Sequence, residues 1–123
     1  VSISLSDAVH AYVAAFAAGD AAAAAALFAQ DATLEDPVGS ERLVGHAAIA
    51  TFYERAMAMG ATLELRGPVR VAGDCAAFAF TVFVNAPGQA MEIDVIDVFR
   101  FNAAGQVADM RAFWGPGNVR RVG

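Results

Sequence analysis

The chain has 123 residues, 58% of them hydrophobic and 17% charged, which suits one folded domain over residues 1–123 and excludes disorder. Its net charge of -5 argues against nucleic acid or an anionic membrane as partner. No apolar run is long enough to span a bilayer.

Ser4-Leu5-Ser6-Asp7 has the form of a capping box with Asp in place of Glu, and predicts a helix running to about Ala18. Its apolar stripe is Leu5, Val9, Tyr12, Val13 and Phe16. Tyr12 therefore faces inward and its hydroxyl needs a partner; a backbone carbonyl would satisfy an ordinary core tyrosine. His10 lies off the stripe, toward solvent. Gly19 then Asp20 reads as a helix stop followed by a new N-cap, with a short second helix over Ala21–Phe28.

Ala32–Glu35 reads as a short strand ended by Pro37. In strand phase Ala32, Leu34 and Asp36 share one face, and Thr33 and Glu35 the other. Asp36 is then an inward-leaning carboxylate at a strand end, although Asp before Pro also commonly just opens a turn. Residues 40–45 form a loop. A third helix is predicted over Ala47–Met59, burying Ile49, Phe52, Tyr53 and Ala56, with His46 exposed at its start and Gly60 ending it.

From Thr62 onward the pattern is β, with strands predicted at Leu63–Val71, Ala76–Val84, Ala90–Phe101 and Val107–Trp114. Turn residues separate them at 73–74, 85–88 and 102–105. Phe78, Phe80, Val82 and Val84 share a face, as do Ala108, Met110, Ala112 and Trp114. The tail 115–123 is glycine-rich and expected to be loosely ordered. Three helices followed by an antiparallel meander define an α+β fold, helices packed on one side of a curved sheet.

The strand at Met91–Phe101 is the most informative. One face carries Met91, Ile93, Val95, Asp97, Phe99 and Phe101; the other carries Glu92, Asp94, Ile96, Val98 and Arg100. Asp97 is the one carboxyl in an apolar row. If that row faces a core or pocket, ionisation is costly, the pKa rises and the neutral acid becomes a hydrogen-bond donor. An exposed or frayed strand end would be the alternative.

All eight basic residues are arginine, which removes Schiff-base lysines from consideration. His10 and His46 stand apart with no ligating neighbours, so no metal is expected. No phosphate-cradling or dinucleotide motif is present, and no cofactor is expected. Cys75, the sole cysteine, reads as a packing residue and points to a reducing cytoplasm. No signal-peptide pattern is visible at the N-terminus.

Taken together, Ala11–Asp20, Leu27–Ser40, Phe52-Tyr53, Ala77–Val82, Ile96–Phe101 and Met110–Gly115 resemble bacterial Δ5-3-ketosteroid isomerase over nearly the whole chain. The resemblance implies the cone-shaped fold shared with nuclear transport factor 2, a homodimer and a small steroid substrate. It implies Asp36 as general base, with Tyr12 and protonated Asp97 as oxyanion-hole donors. Resemblance and strand phase together nominate Phe52, Phe80, Val82, Met110 and Trp114 as pocket lining. Tyr53 corresponds to a tyrosine that hydrogen-bonds Tyr12 in relatives, and Phe28 stands where some relatives carry a further tyrosine. The competing readings are a polyketide cyclase or dehydratase of the same fold, and a non-catalytic steroid-binding or docking module. Epoxide hydrolases of this fold use an Asp-Arg-Asp arrangement, which the outward phase of Arg100 disfavours.

Overall fold

The computed structural model describes residues 4–122. Helix α1 (Leu5–Ala18) begins where Ser4 accepts the Asp7 N–H and ends at Gly19, whose φ of 64° suits a left-handed cap. Asp20 caps α2 (Ala21–Ala25) through the Ala23 N–H. Strand β1 (Phe28–Glu35) follows at once, so α2 is shorter and β1 longer than their sequence suggests. The Val107 N–H bonds the Leu27 carbonyl and Phe28 pairs with Val107; that ladder overrides the helix propensity of the alanine run.

Two residues of the 40–45 loop form β2 (Leu43–Val44) against β1. Helix α3 (His46–Ala58) buries Ile49 and Tyr53, while Phe52 and Ala56 are half-buried. The single strand expected over 63–71 is two: β3 (Thr62–Leu65) and β4 (Arg70–Ala72), both paired to β5 (Cys75–Val84). Gly67 and Pro68 lie between them; Gly67 takes φ 97°, and proline has no N–H for the ladder.

Strands β6 (Met91–Phe101) and β7 (Val107–Phe113) continue an antiparallel meander. A register shift beside Arg100 places Val107, not Ala108, in the core: the extra residue of a bulge inverts the phase. The tail is better ordered than expected. A 3-10 turn at Pro116–Asn118 leads into β8 (Val119–Arg121), which pairs with the start of β6. Arg120 anchors it by ion pairs to Glu92 and Asp94. The last residue of the expected tail, Gly123, lies outside the described residues.

The sheet runs β2-β1-β7-β6-β5-β3, with β4 added on β5 and β8 on β6. The β1–β7 pair is parallel and the others are antiparallel. Helices cover one face, where the aromatic rings of Tyr12, Phe16, Phe28, Tyr53, Phe78 and Phe99 meet edge to face or tilted at 5–6 Å. This is an open α+β fold, with helices packed on one face of the sheet.

Candidate active site

Between the helices and the inner sheet face lies a cavity of about 230 Å³. Tyr12 reaches it from the middle of α1, Asp36 from the residue after β1, Asp97 from β6 and Trp114 from the residue after β7. Phe52, Phe80 and Val82 form apolar wall. Four of the five expected lining residues are thus present. Met110 is not: it is fully buried beside Leu34 and Phe99, its strand neighbours. Its alternation is right, but it sits in the packed core behind the cavity, and strand phase carries no information about depth. The sequence also left the rim unassigned. Met59, Met91 and Ile93 belong to it; Met91 and Ile93 could have been read from the phase of β6.

Strand alternation turns Asp97 inward between Phe78 on β5 and Ala112 on β7. It is 1% exposed, and neither carboxyl oxygen has a hydrogen-bond partner among the described residues. Burial first, and the charge of Asp36 second, push its pKa well above the ordinary carboxylate range. Burial therefore favours the protonated acid, and neither oxygen has a hydrogen-bond partner to offset that among the described residues.

Asp36 is half-buried. Burial raises its pKa, while the indole N–H of Trp114, donating to its Oδ1 at 2.7 Å, pulls it back down. The two carboxyls therefore differ for a physical reason. Asp36 has a donor that favours the anion; Asp97 has none. One cavity holds a carboxyl with a donor that favours its anion and a second whose burial, with no donor, favours the neutral acid.

The Tyr12 hydroxyl lies 3.0 Å from that of Tyr53, inside the core. Its partner is thus a second phenol and not a backbone carbonyl. Burial, then the neighbouring Tyr53 and Asp97, raise its pKa well above the usual tyrosine value, so it stays a neutral donor. Tyr53 is raised likewise by burial. When Tyr53 donates to Tyr12, the Tyr12 proton is free to point into the cavity.

Arg100 is exposed on the opposite face of β6, and no arginine lines the cavity among the described residues. No group of three or more His, Cys, Asp or Glu among the described residues could hold a metal. His10 is exposed and His46 half-buried; neither lines the cavity. Cys75 is half-buried, its thiol donating to Asp74.

Residues 9–110 match the family described as the SnoaL-like domain. The chain belongs to that family. It is 45% identical over 119 residues to the steroid Delta-isomerase of Nocardioides simplex, covering 97% of this chain and 96% of that protein. It is also 36% identical over 104 residues to epoxide hydrolase LasB of Streptomyces lasalocidi, covering 80% of this chain but 36% of that longer protein. The solved structure of SalBIII, an epoxide hydrolase/cyclase-like enzyme in pyran ring formation in the polyether salinomycin, matches with a TM-score of 0.89 at 26% identity, covering 96% of this chain and 95% of that one. These matches bear out the nuclear transport factor 2-like fold and the likeness to bacterial ketosteroid isomerase. No helix among the described residues is long and apolar enough to cross a membrane.

Proposed function

We propose that this SnoaL-like protein is a steroid Δ-isomerase that converts Δ5-3-ketosteroids to their Δ4 isomers. The observation carrying this reading is the Asp97 carboxyl, buried and unpartnered in the cavity that also holds Tyr12 and Asp36. The likeness to the Nocardioides simplex enzyme supports it.

In this mechanism the substrate C3 carbonyl accepts hydrogen bonds from Tyr12 and protonated Asp97. Ionised Asp36 removes a proton from C4. The electron pair of the broken C–H bond moves through the enol system, leaving a dienolate with its charge on the C3 oxygen. Asp36, now protonated, returns the proton to C6, and the double bond moves into conjugation. No atom is gained or lost, and no cofactor is required. Preorganised donors aimed at developing charge in a water-poor site commonly supply the largest share of such catalysis. Tyr53 is proposed to orient Tyr12. Phe28 packs on the Tyr53 ring with no hydroxyl to extend the chain of phenols. Phe52, Phe80, Val82 and Trp114 would bind the steroid by burying hydrocarbon.

The epoxide hydrolase or cyclase chemistry named for LasB and SalBIII is the second reading, with polyketide cyclases and dehydratases as kin of the fold. The exposed position of Arg100 and the lack of any arginine on the cavity wall count against an Asp-Arg-Asp centre. A purely binding or docking module has no use for a buried, unpartnered carboxyl. We also propose a homodimer: Ile96 and Phe113 are register partners on the outer sheet face and are 49% and 42% exposed. The proposed location is the cytoplasm, on the strength of the lone cysteine.

The deciding experiment mixes the protein with 5-androstene-3,17-dione and follows the ultraviolet absorbance of the conjugated enone. Formation well above the buffer rate is expected. A rate equal to buffer, with the protein folded, rejects the isomerase.

A further inference from the structure

Asp36 sits on a turn, and its neighbour Glu35 points to the other side of the sheet. The outward carboxylate nevertheless folds back over the turn. Its Oε2 accepts the Gly39 N–H at 2.9 Å. Gly39 takes φ 101°, a conformation other residues rarely adopt. Arg42 and Arg111 lie 3.7 and 3.6 Å from Oε1. The Glu35 side chain is 16% exposed between them. The Gly39 N–H, foremost, and the two arginines hold its carboxyl below the usual glutamate range.

The rest of the turn is held by shorter links. The Val38 N–H bonds the Ala112 carbonyl at 2.8 Å, fixing the turn to β7. The Ser40 N–H and hydroxyl both donate to the Pro37 carbonyl. Among the described residues, Glu35 is the one side chain whose hydrogen bond ties the strand before Asp36 to the backbone after it. The base is thereby bracketed: β1 on one side, the Glu35–Gly39 bond on the other, and the Trp114 indole on its carboxylate.

We propose that Glu35 is a positioning residue for the base. By closing the Asp36–Gly39 turn through the Gly39 N–H, it sets where the Asp36 carboxylate stands relative to C4 and C6 of the substrate. This rests on the isomerase reading given above. The acceptor oxygen at its full reach matters; the charge beside the arginines is secondary. A proton that leaves one carbon and returns to another needs a base held within reach of both, and displacements of about 1 Å can cost on the order of a hundredfold.

Two variants separate reach from charge. Glu35→Gln keeps the reach and an accepting oxygen but loses the charge. Glu35→Asp keeps the charge but withdraws the oxygen from Gly39. Enone formation gives kcat and KM. Binding of estradiol, whose A-ring phenol presents an oxygen at C3 to the donors, reports the oxyanion hole without the base. Glu35→Asp is expected to lose about tenfold or more in kcat, with KM and the estradiol Kd within about twofold of the parent. Glu35→Gln is expected to keep most of kcat. Parent-like kcat in Glu35→Asp would overturn the proposal. So would Glu35→Gln falling below Glu35→Asp, or kcat and estradiol affinity declining together. Absence of enone formation by the parent protein would instead overturn the isomerase reading itself.

Discussion

The indole nitrogen of Trp114 lies 2.7 Å from the carboxylate of Asp36, across 78 positions of sequence. Trp114 follows β7 and Asp36 follows β1, and those strands pair in parallel through Leu34–Met110 and Glu35–Arg111. The two residues leave the sheet at the same end, so their side chains meet. An N–H donated to a carboxylate stabilises the anion. A base must be an anion before it can act.

Trp114→Phe keeps the apolar wall and removes the donor. The pKa of Asp36, already raised by burial, should rise further. The acid limb of kcat/KM, which falls as Asp36 takes up its proton, should move to higher pH. Turnover on the plateau should drop about tenfold, the scale of a hydrogen bond to a charged group. A pH–rate profile of both proteins checks this; an unmoved acid limb would detach Trp114 from the base.

Asp36→Asn removes the proposed base and leaves both proposed donors. Turnover of the enone reaction should fall on the order of a hundredfold or more. Estradiol binding should persist, because Tyr12 and Asp97 are untouched. Near-normal turnover would take Asp36 out of the mechanism.

Asp97 makes two predictions at once. Asp97→Asn retains an N–H donor and should lose less turnover than Asp97→Ala, which leaves the oxygen with Tyr12 alone. Equal losses would mean that donation is not what Asp97 supplies. The second concerns stability. The folded pKa of Asp97 stands well above its ordinary value of 3.8, so the folded chain holds this proton when the unfolded chain has released it. That stability is full below the unfolded value and is lost as pH rises toward the folded one. Denaturant unfolding should show the parent weakening, relative to Asp97→Asn, as pH rises above the ordinary carboxylate value. A constant difference would mean that Asp97 is ionised in the fold.

Tyr53→Phe deletes the phenol 3.0 Å from that of Tyr12. Tyr12 then loses its phenol partner, the group proposed to donate to it when Tyr12 turns its own proton to the substrate. The effect on kcat should be about threefold to tenfold, one neutral hydrogen bond. Tyr12→Phe, which removes a donor outright, should cost on the order of a hundredfold or more. Steady-state kinetics on the two single variants gives the order; a larger loss from Tyr53→Phe would reverse the proposed roles.

Much of this site follows from periodicity. Alternation along Met91–Phe101 puts Asp97 on the buried face, the stripe of α1 puts Tyr12 inward, and the phase of Ala32–Leu34–Asp36 aims the second carboxylate the same way. Ser4, Gly19 and Asp20 mark their helix ends because caps are local. Each of these depends on residues within a few positions of one another.

Other features depend on partners far along the chain. Phe28 belongs to a strand because Val107 pairs with it, against the preference of the alanines before it. The tail is a strand because Arg120 finds Glu92 and Asp94 on β6. Met110 has the right face and the wrong depth. The amino-acid sequence alone thus determined α1, α3 and the long strands β5 and β6, their inward faces, and which three polar groups lean inward, since backbone geometry and hydrophobic patterning act over a few residues. Only the tertiary structure decided which carboxyl is fully buried without a partner and which receives a donor, because burial and a donated N–H from Trp114 arise when distant strands are brought side by side.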